Sequence, residues 1–175
     1  MTMKLLETVT VGAGGAASIT FSNIPADFTD LYIVVSARTA RSGFNNDQFG
    51  VNFNGVSTNQ TGRELFGGGS STSSASHTRI FGYTTATTAT ADTFGNASVY
   101  VPNYRSAVAK SVSIDAVTEN NATSAVQNLF AGLWNSTAAI TSVTLVPLSA
   151  TNFTQHSTAS LYGITAGSDG IVSVS

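Results

Sequence analysis

The chain contains no cysteine. That excludes a disulfide framework and thiolate metal sites, and it leaves the compartment open. Charge is scarce: 9% of the 175 residues are Asp, Glu, Lys or Arg, against about 25% in typical soluble domains. The two lysines and five arginines lie scattered. No basic patch exists to grip phosphates, so no nucleic-acid partner is expected. No apolar run approaches the ~20 residues of a membrane span, so no membrane partner is expected either. Glu7 follows Leu6 at once and cuts off any signal-peptide core; the protein is expected to be made and used without that export route. Proline occurs three times, and no amphipathic helical pattern of useful length is present.

Serine and threonine, 23 and 25 by count, supply the polar covering in place of charge. A surface of this kind repels its own copies weakly, which favours association into oligomers. By area scaling, a chain of this size folds to roughly 8,000 Å² of surface from about 26,000 Å², so a single domain spanning 1–175 can bury a real core.

The organising stretch is Asp30 to Thr39. Leu31, Ile33, Val35 and Ala37 alternate with Tyr32, Val34, Ser36 and Arg38. Side chains alternate faces along a strand, so this reads as a central strand with one apolar and one mixed face. Leu5 to Val11 reads as a first strand. Gly12–Gly15 is a turn, and Ser18–Phe21 closes what looks like a hairpin. Phe49, Val51 and Phe53 alternate before Asn54-Gly55, the strongest short hairpin signal in the chain.

Gly67–Ser76 and Thr84–Asp92 read as long exposed polar loops. Arg79–Tyr83 and Ala97–Val101 are short strands. Val108, Lys110, Val112, Ile114 and Ala116 form one face of a long strand. Glu119–Asn121 turns. Val126–Trp134 is apolar on both faces and is expected to be a strand covered on both sides. Ile140–Val146 is stopped by Pro147, and Ser157–Ile164 follows. Residues 165–175 read as an extended tail in which Ile171–Val174 could add a strand.

About ten strands separated by Gly, Asn and Pro give an all-β fold class. The expectation is one antiparallel β-sandwich, jelly-roll-like.

Nothing in the chain converges on chemistry. His77 and His156 sit among Ser and Thr and read as surface histidines. No nucleophile elbow surrounds any serine, and Gly67-Gly68-Gly69 lacks the lysine and helix of a phosphate loop. Asp115 with Glu119 is the one carboxylate pair to weigh as a glycosidase couple, and the bland reading as solvated charges is preferred. Asp169 near Asn152 has no calcium-loop pattern. The Asn-x-Ser/Thr sites at Asn59, Asn96, Asn121, Asn135 and Asn152 match chance for this composition. No catalytic residue, cofactor or metal is assigned, and an enzyme is not expected. Trp134, Tyr100, Tyr104 and Tyr162 read mainly as core or interface aromatics, with sugar stacking as the rarer use. Phe44, Phe66, Tyr83 and Phe94 lie beside loops and are the candidate interface residues.

Several segments together resemble small β-sandwich virion proteins of tailed bacteriophages, including cyanophages. They are Phe21–Pro25, Leu31–Arg38, Val51–Asn54, Phe94–Asn96, Tyr100–Tyr104, Ala139–Val143 and Ser160–Ile164. The resemblance implies a protein, often a homotrimer, on the outer surface of the capsid. It would act as capsid cement or head decoration with the major capsid protein as partner. A tail- or head-fibre tip that binds a host receptor or glycan is the other role implied. The first strand begins a few residues from Met1, without an added anchoring segment, which tips the expectation towards decoration.

Overall fold

The computed structural model describes residues 2–119 and 125–165. Among these residues there are twelve strands and no helix. They are β1 (Thr2–Thr10), β2 (Ile19–Phe21), β3 (Asp30–Ala37), β4 (Asn46–Phe53), β5 (Gln60–Gly67), β6 (Thr72–His77), β7 (Phe81–Thr85), β8 (Gly95–Val101), β9 (Lys110–Val117), β10 (Gln127–Trp134), β11 (Val143–Pro147) and β12 (Thr158–Thr165). Every ladder between them is antiparallel. The all-β sandwich is therefore as expected, with β5 and β6 raising the count from about ten.

One sheet runs β1-β12-β3-β8-β9-β10-β5-β6 and the other β2-β11-β4-β7. Setting aside β5, β6, β9 and β10, the remaining eight strands pair first with last: β1 with β12, β2 with β11, β3 with β8, β4 with β7. Successive pairs fall in alternate sheets. This is a ribbon of paired strands rolled into a jelly roll. The paired strands β5–β6 and β9–β10 are additions that widen one sheet to eight strands beyond β8.

The organising strand lies where its pattern requires. β3 is flanked by β12 and β8. Leu31, Ile33, Val35 and Ala37 are at most 1% exposed, while Val34 is 39% exposed. Phe49, Val51 and Phe53 of β4 are fully buried in the same core.

Several local expectations change. Gly12–Gly15 does turn, with Gly15 N donating to Gly12 O at 3.0 Å, but β1 and β2 form no hairpin. β1 pairs with β12 and β2 with β11, so the chain changes sheets there. Asn54 and Gly55 adopt φ of 52° and 73°, and Val56 N donates to Phe53 O at 2.9 Å. Yet both edges of β4 are taken by β11 and β7. The chain therefore leaves the turn for the other sheet instead of folding back.

Gly67–Ser76 is not a loop throughout, because Thr72–His77 forms the edge strand β6 against β5. Its order comes from ladder hydrogen bonds, since its Ser and Thr side chains bury little. Thr84–Asp92 is likewise anchored. Thr84 and Thr85 end β7 and are buried. Arg38 then donates to the carbonyls of Thr87, Ala89, Thr90 and Thr93 at 2.9 to 3.2 Å. The β10 segment is covered on one side only: Asn128, Phe130, Gly132 and Trp134 point inward while Leu129, Ala131 and Leu133 face out. Most of the Glu119–Asn121 turn, and the tail beyond Thr165 with Ile171–Val174, lie outside the described residues.

Candidate functional site

The four candidate interface residues fall in two places. Phe66 of β5 and Tyr83 of β7 meet, with ring centroids 5.5 Å apart. Phe44, half-exposed in the β3–β4 turn, lies 3.6 Å below the Arg41 guanidinium, and Thr88 N donates to its carbonyl at 3.0 Å. Phe94 is half-buried just before β8. Phe44 and Phe94 thus bracket the loop that Arg38 holds, rather than forming one patch with Phe66 and Tyr83.

Beside the Phe66–Tyr83 pair sits a polar cluster that spacing along the chain does not reveal. Glu64 points inward from β5 and is buried. Its Oε2 meets His77 Nε2 at 2.8 Å, and its Oε1 accepts from Asn128 Nδ2 at 2.8 Å. His77 is therefore not a plain surface histidine. It is half-buried and packs edge-on against Phe81, with centroids 4.8 Å apart. Gln48 Nε2 donates to Tyr83 OH at 3.0 Å. Burial lifts the Tyr83 phenol above its ordinary range, the Gln48 bond opposes this, and the Glu64 carboxylate adds to the rise. With both Glu64 oxygens engaged, the arrangement ties edge strand β6 to the sheet. His156 is exposed in a turn, in line with a surface role.

Lys110 lies on the inward face of β9, as its alternation requires, and is 1% exposed. Its Nζ donates to the carbonyls of Ser106, Val108, Ser136 and Ala138 at 2.8, 2.8, 3.3 and 2.6 Å. The Trp134 ring centroid is 5.7 Å away. Burial pulls its pKa down. This lysine pins the two loops that flank β9 and β11. The weighed carboxylate pair is not assembled into a site: Asp115 faces out of β9 in register with Ser98 and Leu129, and Glu119 follows the strand end, exposed. Asp169 lies outside the described residues.

Among the described residues, an unfinished surface is the outer face of the eight-stranded sheet. Register places Tyr162, Tyr32, Tyr100, Ser113, Ala131 and Arg63 in one row across it. The next row runs Val34, Ser98, Asp115, Leu129 and Leu65. Leu5, Val34, Leu65, Val117, Leu129 and Leu133 are 37% to 55% exposed on this side. A groove of about 540 Å³ crosses it, walled by Tyr32 and Tyr100 on one side and Leu65 and Leu129 on the other, with Ser113 and Asp115 between the walls and Arg63 at its margin. The opposite outer face of the sandwich is polar, its central row being Thr20, Thr144 and Asn52. The signal for the apolar face was the two-sided hydrophobicity of Val126–Trp134. That pattern demands cover on both sides, and the fold supplies it on one.

Comparison with protein-family models, with curated proteins and with solved structures finds no match for this chain.

Proposed function

We propose that this chain is a structural protein of a tailed-bacteriophage virion: a capsid cement or head decoration protein. It docks as a homo-oligomer, three copies by the resemblance above, on the outer surface of the capsid and reinforces the major capsid protein. The observation that carries this reading is the outer face of the eight-stranded sheet, where exposed leucine, valine and tyrosine alternate with serine and charge is sparse. Large exposed apolar patches are uncommon on solitary soluble proteins and mark surfaces meant to be covered. Loss of charge with retained tyrosine is the composition of interface centres. The rigid sandwich behind it suits load-bearing rather than turnover.

The experiment is the composition and imaging of purified particles. The proposal expects the chain on the head at a copy number that scales with capsomers. Finding it only in tails, at a few copies, ends the idea.

A second reading, a fibre-tip domain that binds a glycan or host receptor, is favoured by the Tyr32–Tyr100 wall of the outer groove, since aromatic faces stack on sugar rings. Saturable binding of the isolated protein to host cells or to a defined glycan, lost in Tyr32→Ala, would select it.

A further inference from the structure

We propose that two copies of this chain pair face to face through the outer surface of the five strands from β8 to β6, centred on β9, β10 and β5, about a two-fold axis running along β10. This rests on the structural-protein reading and names the copy-to-copy contact within it.

The argument starts from the outward positions. From β8 to β6 they hold two charged residues, Arg63 and Asp115. They sit on either side of β10, whose outward residues are Leu129, Ala131 and Leu133. Two strand spacings, about 10 Å, separate their columns. Within one copy they form no ion pair among the described residues, and Arg63 Nη1 turns to the Gly62 carbonyl at 3.1 Å. A lone cation and a lone anion thus flank an apolar strip with no partner for either across it.

A two-fold axis along β10 keeps each position along the strands and exchanges the β5 column with the β9 column. Leu129 then meets Leu129 of the second copy, and Leu133 meets Leu133. Arg63 comes to lie over Ser113 of the second copy, one same-face step, about 7 Å, from its Asp115. That step is within the span of an arginine side chain. The contact is isologous, so the pair forms twice. An in-plane axis across the strands would instead set the β5 column on itself, cation column against cation column. Charge therefore selects the first axis.

Size agrees. Five strands from β8 to β6, about 24 Å wide, with seven residues, about 24 Å long, give a flat footprint of about 600 Å². The accessible area of a corrugated face exceeds its footprint, which brings it near the ~800 Å² per partner of a stable interface.

The test is sedimentation equilibrium of the full chain at micromolar concentration. The expected mass is two copies, or six if a three-fold contact is also present. Arg63→Asp and Asp115→Arg should each weaken the pairing at least tenfold, and combining them should restore it. Both side chains are exposed, and unchanged circular dichroism and thermal unfolding certify the fold of each variant. A wild-type mass of one or three copies overturns the proposal, as does a set of variants that all pair alike. Particle composition is read separately, so a trimer that decorates capsids would sink this contact and leave the functional reading standing.

Discussion

Glu64 Oε2 lies 2.8 Å from His77 Nε2, which links β5 to the edge strand β6 from the inner side of the sheet. β6 has no other substantial side-chain anchor, because its remaining residues are exposed Thr, Ser and Ala. His77→Ala should leave Oε2 of the buried carboxylate without its imidazole, while Oε1 keeps the Asn128 amide, and cost about 2 kcal/mol. Amide exchange in Thr72–His77 should accelerate with it. Unchanged exchange there would show that the ladder alone holds the strand.

Val35 and Val34 are neighbours with opposite fates, at 1% and 39% exposed. Val35→Asp places an unpaired charge in the core and should cost several kcal/mol, on the order of 4. Val34→Asp should stay within about 0.5 kcal/mol in the separated chain. Chemical denaturation of the two variants checks the face assignment directly, and equal losses would refute it.

Arg38 closes the 86–93 loop through four backbone carbonyls. Arg38→Ala removes every one of those donors at once and should cost about 3 kcal/mol. Limited proteolysis should then cut within 86–93 before any other site. A loop that stays resistant would mean its own turns suffice.

Alkaline pH should weaken the fold. Tyr83, Tyr100 and Tyr104 all ionise later in the folded chain, burial being the first cause at each. Unfolded tyrosine titrates near pH 10. The stabilisation from these phenols is whole below about pH 10 and is lost as pH rises through their folded values. Lys110 runs the other way. Its folded pKa is lowered by burial, so between that lowered value and about pH 10.4 the unfolded chain holds a proton that the native chain has shed, and there this group alone adds stability as pH rises. Urea midpoints should fall above pH 10, with tyrosinate absorbance stepping up on unfolding, and Lys110→Met should remove the rise that this lysine adds just below that range. A flat midpoint across that range would contradict the burial of the phenols.

What the amino-acid order determined was most of the strands and their faces, with β5 and β6 left unread. Period-2 alternation in Leu31–Ala37 and in Lys110–Ala116 is a local property, and one buried face makes it unambiguous. It also determined the outward leucines of β10, read there as a demand for cover on both sides. Pairing was decided elsewhere. Asn54-Gly55 encodes a turn, but whether the chain folds back depends on which strands already occupy the edges of β4. β6 has the composition of a loop and is a strand because β5 offers it a ladder. Glu64, His77 and Asn128 are brought together across 64 positions of chain, and Lys110 meets carbonyls from two separate loops. Contacts between distant residues carry no local signature, since they exist only once both sheets have closed on one another. For the same reason, the apolar outer face became visible as a continuous surface only when eight strands lay side by side.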